Sequence, residues 1–169
     1  MSLEKIKTNL KSGARPNKYM VTIPSDLVGI GTDILDILCK GASLPDATIN
    51  AIQIYNQGRI LPIAGDKSYT QTWDVTFYNT HDLAIRNGFE QWMKKIDDVQ
   101  AHYRELENNN EYMKDLNVEQ LDGKNQSTAK YKIYNAWPSV ISSVDLADDA
   151  QDTVSEFTVT FSFSHWEKI

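Results

Sequence analysis

The sequence is poor in the residues that build metal centres and disulfide frameworks. It has one cysteine, Cys39, and three histidines at positions 81, 102 and 165. A single cysteine excludes an internal disulfide, and these four side chains are too scattered along the chain for a zinc site. We therefore expect Cys39 to be a small buried hydrophobic residue.

Long apolar runs are also missing. No stretch approaches the ~18–20 apolar residues of a membrane helix, and the first residues lack the apolar centre of a secretory signal. We expect a protein with no stable membrane association that is made and folded in a cytoplasm. Its 169 residues, 41% hydrophobic and 24% charged, are typical of one soluble globular domain.

An excess of positive charge is absent outside the N-terminus. The net charge is −6, of which residues 1–18 contribute +4 and the remaining 151 residues −10. Nucleic-acid binding proteins normally present a basic face with aromatic side chains, and the acidic body offers none. We interpret residues 1–16 as a flexible basic arm that could touch phosphates or an acidic neighbour.

A catalytic combination of residues is absent as well. His81, in the segment THD, is more typical of a helix cap or surface residue than of a base. The Asp148-Asp149 pair with Asp152 lacks the glycine and bidentate glutamate of a calcium loop. The segment GRILPIAGD has two glycines without the spacing of a phosphate-binding loop. We predict that the protein is not an enzyme and uses no cofactor or metal.

Alternating residues are what the sequence does contain. In EFTVTFSFSHWE, residues 156–167, phenylalanine and valine alternate with serine and threonine. This period of two predicts a β-strand with one face on the core and one face of small hydroxyl side chains. Similar patterns predict strands over 17–24, from 47 into a long hairpin loop, over 69–79 and over 129–138.

One segment has helical spacing. In NTHDLAIRNGFEQWMKKIDD, apolar residues recur at i, i+4, i+7, i+8 and i+11, and the positions are Ile85, Phe89, Trp92, Met93 and Ile96. Asn79 or Thr80 can cap this helix. Several strands with one good helix indicate a mainly β fold, an antiparallel β-sandwich or barrel with one flanking α-helix, in a single domain. Residues 97–127 are polar, and we expect an exposed, partly helical excursion.

A combination of short motifs resembles the tail tube proteins of contractile-tailed bacteriophages. These motifs are Gly58-Arg59, Pro62-Ile63-Ala64-Gly65, a tyrosine, Trp73-x-Val75-Thr76, Asn79-x-x-Asp82 and Phe89-Glu90-x-Trp92. The segments RPNKYMVTIP, YKIYNAWPSVISSVDL and DTVSEFTVTFSFSHWE resemble the first and closing strands of that family. The resemblance covers most of the chain, and residues 97–127 are the least similar part.

The resemblance implies a structural virion protein that is assembled in the host cytoplasm. Six copies would form a ring, and rings would stack into the inner tail tube that conducts the genome during ejection. The implied partners are copies of the same chain and the sheath, baseplate and tail terminator proteins. DNA would pass through the lumen without specific binding, because small side chains without positive charge do not hold a polyanion.

The resemblance also implies which residues meet other subunits. The long hairpin loop of this family reaches a neighbour, and the corresponding residues are Gly58, Arg59, Pro62, Ile63, Ala64, Gly65, Asp66 and Tyr69, with Arg59 and Asp66 as polar anchors. The candidates for the lumen are Thr48, Asn50, Gln53, Thr72, Asp74 and Thr76. For Thr158, Thr160 and Ser162 the lumen and an interface both remain open.

Two other interpretations remain. Tube proteins of bacteriocins and contractile secretion systems share the fold, so a genome-free contractile injection system is an alternative. A closed barrel with aromatic residues could also enclose a small ligand. Against the ligand barrel, the chain has enough aromatic side chains to fill the interior.

Overall fold

A computed structural model describes residues 2–10, 13–98, 105–106, 108–144, 146–147 and 153–169. The fold is mainly antiparallel β, as predicted. The strands are β1 (Tyr19–Thr22), β2 (Cys39–Ala42), β3 (Thr48–Asn56), β4 (Arg59–Ser68), β5 (Thr72–Tyr78), β6 (Lys114–Leu121), β7 (Ser127–Ile141), β8 (Glu156–Ser162) and β9 (His165–Lys168). The helices are α1 (Leu3–Leu10), α2 (Ser25–Val28), α3 (Thr32–Ile37), α4 (Ala84–Ile96) and α5 (Asn109–Tyr112).

The long strand β7 joins two layers of one antiparallel sheet. The strand order is β1-β6-β7-β8-β5-β2, and β9 also pairs with β7. Tyr131–Tyr134 of β7 pair with β9, whereas residues 137–141 pair with β8. Between these segments Asn135 has a φ of 56°. This left-handed residue bends the strand, so β7 passes from one layer to the other.

Alternate residues of the strands fill the core between the layers. On β5 and β8 these are Trp73, Val75, Phe77, Phe157, Val159 and Phe161, each at most 2% exposed. The other layer contributes Val21, Leu116, Val118 and Ile133, which are also buried. The aromatic rings contact one another, so they fill the interior that a ligand-binding barrel would leave open.

Helix α4 closes the core as its spacing predicts. Ile85, Phe89 and Trp92 are fully buried, and the Phe89 ring centroid lies 5.4 Å from that of Phe77. The backbone N–H of Ala84 donates to Thr80 Oγ1 at 3.0 Å, which satisfies one free donor of the first turn. The helix therefore packs on the core side of β5 and β8, away from the side that carries Thr72, Asp74 and Thr76.

Two segments differ from their predictions. Within the basic arm, residues 3–10 form helix α1, which buries none of its side chains. The expectation of an exposed excursion over 97–127 is wrong for residues 114–121, which form β6 between β1 and β7. Polar residues on either side of Leu116 and Val118 weaken the strand signal in the sequence. The two apolar residues are nevertheless spaced by two, and both lie in the core.

Some sequence expectations concern residues outside the described ranges. They include part of the polar excursion, residues 99–104 and 107, and the acidic residues Asp148, Asp149 and Asp152. Among the helices of the described ranges, none has the length and apolar character needed to cross a membrane.

Candidate functional site

Strands β3 and β4 form a hairpin that pairs with no other strand in the described part of the chain. Its two-residue turn consists of Gln57 and Gly58, with φ angles of 47° and 81°. Positive φ at both positions is the geometry of a type I′ turn, which matches the twist of the flanking strands. The long loop expected after Gly58 is therefore a strand, in which Pro62 lies opposite Gln53.

The hairpin exposes apolar side chains on both of its faces. Its register brings four of them together, and we call this set the apolar hairpin face: Ile52 (53% exposed), Ile54 (46%), Leu61 (61%) and Ile63 (40%). The opposite face carries Tyr55 and Ile60, which are 70% and 57% exposed. An isolated two-stranded hairpin is marginally stable in water, and exposed apolar patches mark interaction surfaces. This geometry suits a hairpin that is covered by another protein molecule.

A bulge interrupts the hairpin near its base. The register shifts between Ile49 and Ala51, so the backbone of β4 gains a residue around Gly65 and Asp66. A Cβ at Gly65 would lie 2.8 Å from the carbonyl oxygen of Asn50, so only glycine fits there without a shift. Arg59 lies next to the turn and Asp66 next to the bulge, roughly 20 Å apart along the strand. Both are exposed, so they are suited to separate contacts.

The second candidate surface is the side of β5 and β8 that faces away from helix α4 and the core. We call it the hydroxyl face, and it consists of Thr72, Asp74, Thr76, Thr158, Thr160 and Ser162. The strands pair so that Thr72 faces Ser162, Asp74 faces Thr160 and Thr76 faces Thr158. Thr160 Oγ1 donates to Asp74 Oδ1 at 2.6 Å, and the two threonine hydroxyls of the last pair are 3.0 Å apart.

The hydroxyl face carries no free positive charge. Neither β5 nor β8 contains a lysine or arginine. Lys40, at one end of the face, forms an ion pair with Glu156, and this hydrogen bond raises the pKa of the lysine. The Asp74 carboxylate leaves the face slightly acidic. Such a surface has hydroxyl groups to hold water and no cation to hold a phosphate.

The predicted lumen residues fall into two groups. Thr72, Asp74 and Thr76 lie side by side on the hydroxyl face. Next to them are the β8 residues that the sequence assigned either to the lumen or to an interface, Thr158, Thr160 and Ser162. The remaining three are on the hairpin, and alternation along β3 puts Gln53 on the face opposite to Thr48 and Asn50. The structure thus groups the β5 candidates and separates those of β3.

The predicted stacking residues share the hairpin but differ in exposure. Gly58, Arg59, Pro62, Ile63, Ala64 and Asp66 are exposed, whereas Gly65 is half-buried at the bulge. Tyr69 follows β4 at the hairpin base, where its ring packs edge-on against Trp166, 6.0 Å between centroids. Sequence reasoning missed Trp166 and the apolar hairpin face. The signal for the face was the apolar character of both IQIY and ILPI.

The described residues hold no recognisable reactive site. They contain no group of three or more His, Cys, Asp and Glu side chains close enough to hold a metal ion. His81 is exposed in a turn before α4. Cys39 is buried, and its burial raises the pKa of the thiol to about 11, which suppresses the reactive thiolate.

Comparison with known proteins points to one family. Residues 14–168 match the family described as phage tail tube protein. The chain is 27% identical over 171 residues to the tail tube protein gp19 of Enterobacteria phage T4, covering 99% of this chain and all of that protein. It is 26% identical over 147 residues to the tail tube protein of Serratia phage KSP90, covering 85% and 82% of the two chains.

Solved structures show the same fold at lower sequence identity. A chain of the anti-feeding prophage baseplate aligns with a TM-score of 0.62 and 14% identity, covering 92% of this chain and 95% of that one. A chain of the PVC sheath-tube complex, an extracellular contractile injection system in its extended state, aligns with a TM-score of 0.57 and 12% identity, covering 100% and 98%.

Proposed function

Because the chain belongs to the phage tail tube protein family, we propose that six copies form a ring, that rings stack into the inner tube of a contractile tail, and that the genome leaves through the lumen. The chain is a tail tube protein of a contractile phage or injection system, which makes it a structural component and not an enzyme. Phage tail tube proteins are parts of the virion tail.

The uncovered hairpin is the observation that carries the assembly proposal. Both of its faces expose apolar side chains, and no other strand of the described chain pairs with it. Covering roughly half of each of four side chains on the apolar hairpin face contributes about 3–6 kcal/mol per subunit. A second copy is the natural partner, since a tube places identical surfaces beside every hairpin. The residues from Gly58 to Tyr69 then form the main contact between subunits.

The hydroxyl face is the surface that we assign to the lumen. A tube that conducts DNA needs a wet wall that does not bind phosphates, because each lysine or arginine contact releases counterions and slows sliding. The face has small hydroxyl side chains, one carboxylate and a lysine already paired with Glu156. Thr72, Asp74 and Thr76 are therefore our lumen residues, with Thr158, Thr160 and Ser162 beside them. On the hairpin we keep Gln53 as a lumen residue; Thr48 and Asn50 lie on the opposite face, which also carries Ile52 and Ile54.

Sheath, baseplate and tail terminator proteins are the further partners that we propose. The solved structures of similar fold come from a baseplate and from a sheath-tube complex. A phage is favoured over a genome-free injection system because the relatives at 26% and 27% identity are phage proteins, whereas these two solved structures share 14% or less.

Electron microscopy of the purified protein tests the proposal. We expect negative staining to show six-fold rings or tubes, and light scattering to rise as the concentration increases. A ligand-binding barrel would remain monomeric at all concentrations. A wild-type protein that never forms rings or tubes would refute the proposed function.

Replacing Pro62-Ile63-Ala64-Gly65 with a short Gly-Ser segment tests the role of the hairpin. We expect a folded monomer, because these residues are mostly exposed and none of them belongs to the hydrophobic core. Circular dichroism and thermal unfolding measure the fold, and sedimentation measures the tubes. Long tubes formed by this variant would show that the hairpin is not the stacking element.

A further inference from the structure

The base of the hairpin is held by side chains from elsewhere in the chain. Two short segments connect the hairpin to the rest of the protein, residues 43–47 before β3 and residues 69–71 after β4. In the first segment, the indole N–H of Trp73 donates to the Ser43 carbonyl oxygen at 2.7 Å. The indole N–H of Trp166 donates to the Asp46 carbonyl oxygen at the same distance. Two indoles therefore fix the backbone that leads into the hairpin.

Trp166 also contacts the segment that leaves the hairpin. Its ring packs against Tyr69, and the Lys67 ammonium lies 5.0 Å from the centroids of both rings. Thr70 Oγ1 donates to the Asp46 carboxylate and so ties the two segments together. Trp166 thus touches both ends of one hairpin. A side chain in this position restricts the angle between the hairpin and the body.

The position of Trp166 is itself fixed by the main sheet. Trp166 lies on β9 opposite Ile133 of β7, a fully buried residue. Tyr131, which is also on β7, packs against the Trp166 indole with 5.5 Å between the ring centroids. The contact therefore connects a rigid sheet to a projecting hairpin that has no other pairing partner in the described chain.

We propose that Trp166 is a positioning residue that sets the direction of the hairpin in the free subunit before it meets a neighbour. This inference rests on the proposed function for its consequence, because a preset direction matters only if the hairpin docks on another copy. A subunit whose hairpin is correctly directed for only ~10% of the time would assemble about tenfold more weakly. Presetting the direction removes this cost.

The direction of the hairpin can be measured without assembly. Spin labels at Asn56→Cys on the hairpin and Gln91→Cys on α4 report the distance between hairpin and body by pulsed electron spin resonance. We expect Cys39 to stay unlabelled because it is buried and its burial raises the pKa of the thiol to about 11. Measured in dilute monomer, the distance distribution should be narrow with Trp166 and broad in Trp166→Leu. An unchanged distribution would overturn the proposal.

Trp166→Phe and Tyr69→Leu separate the hydrogen bond to Asp46 from the ring packing between Trp166 and Tyr69. Phenylalanine keeps a ring against Tyr69 but cannot donate to Asp46, so we expect an intermediate width. Tyr69→Leu removes the contact from the hairpin side and should broaden the distribution even if Trp166→Leu fails to fold. His165→Leu is the matched control, because His165 lies on β9, stacks on Tyr134 and, by strand alternation, is on the face opposite to Trp166. A broad distribution in this control would refute the assignment to Trp166.

Assembly of the unlabelled variants gives the second measurement. We expect Trp166→Leu to raise the concentration needed for tubes, by about tenfold where the hairpin is correctly directed for ~10% of the time, while His165→Leu leaves it unchanged. If Trp166→Leu had a broad distribution of hairpin-to-body distances but assembled at the wild-type concentration, the proposal that hairpin direction controls docking would be overturned. If the wild type forms no tubes, the proposed function fails, and the distance measurement still decides whether Trp166 directs the hairpin.

Discussion

The apolar hairpin face allows a test that separates assembly from folding. Valine and threonine have nearly the same shape, and both favour β-strands. We therefore compare Ile52→Thr/Ile54→Thr with Ile52→Val/Ile54→Val. Both double variants keep β-branched side chains in β3, but only the threonine pair places hydroxyl groups in the proposed contact.

The expected difference follows from the exposed fraction of each side chain. Ile52 is 53% exposed and Ile54 46% exposed in the subunit, so a neighbour can cover about half of each. This cover contributes about 1.5–3 kcal/mol per hairpin for the two residues together. The threonine pair loses most of this free energy, which raises the concentration needed for assembly about 10- to 150-fold. The valine pair loses one CH₂ at each position, about 0.8 kcal/mol in total when half-covered, or about fourfold.

Sedimentation over a range of concentrations measures assembly, and thermal unfolding of dilute protein measures the subunit. Exposed substitutions usually change stability by less than about 0.5 kcal/mol, so both melting temperatures should stay within about 2 °C of the wild type. Equal assembly by the threonine and valine pairs would refute burial of this face. A large fall in melting temperature would instead show that the isoleucines pack within their own subunit.

Two further predictions concern the core and the hydroxyl face. Alanine normally favours a helix over glycine by about 1 kcal/mol, but a Cβ at Gly88 would lie 2.5 Å from the Val28 carbonyl oxygen. We expect Gly88→Ala to lower the denaturation midpoint, because overpacking costs about 1–3 kcal/mol. Gly31→Ala is the control, since no atom lies within 4 Å of the added Cβ. Equal midpoints for the two variants would contradict close packing of Gly88 against Val28. Asp74→Lys should make assembled tubes bind short duplex DNA in a salt-sensitive way, whereas Asp74→Asn should not. Identical DNA binding by both variants would count against Asp74 in the lumen.

Much of the subunit fold was predictable because its signals are local. The alternation of Trp73, Val75 and Phe77 predicts a strand, and the spacing of Ile85, Phe89 and Trp92 predicts a helix, whatever partners they meet. The structure confirms both. The prediction for residues 114–121 is wrong because β6 has many polar residues, and its pairing with β1 and β7 outweighs their low strand preference.

The candidate surfaces were predictable only in part. Period-two alternation identifies the hydroxyl side of β5 and of β8 separately, since it depends on each strand alone. That the two sides lie together, with Asp74 opposite Thr160, depends on a register between segments 86 residues apart. The two-residue turn at Gln57 and Gly58 likewise converts an expected loop into β4.

By itself, the sequence determined the mainly β class, the flanking helix, the acidic body and the resemblance to tail tube proteins, because composition, periodicity and short motifs are properties of neighbouring residues. The tertiary structure alone decided which apolar residues lie in the core and which are left for another molecule. Ile54 and Ile133 both belong to strands, yet one is 46% exposed and the other fully buried. Their difference arises from long-range contacts. Strand β7 pairs with β6 and β8 in a sheet whose inner face packs in the core, whereas the hairpin pairs with no other strand of the described chain.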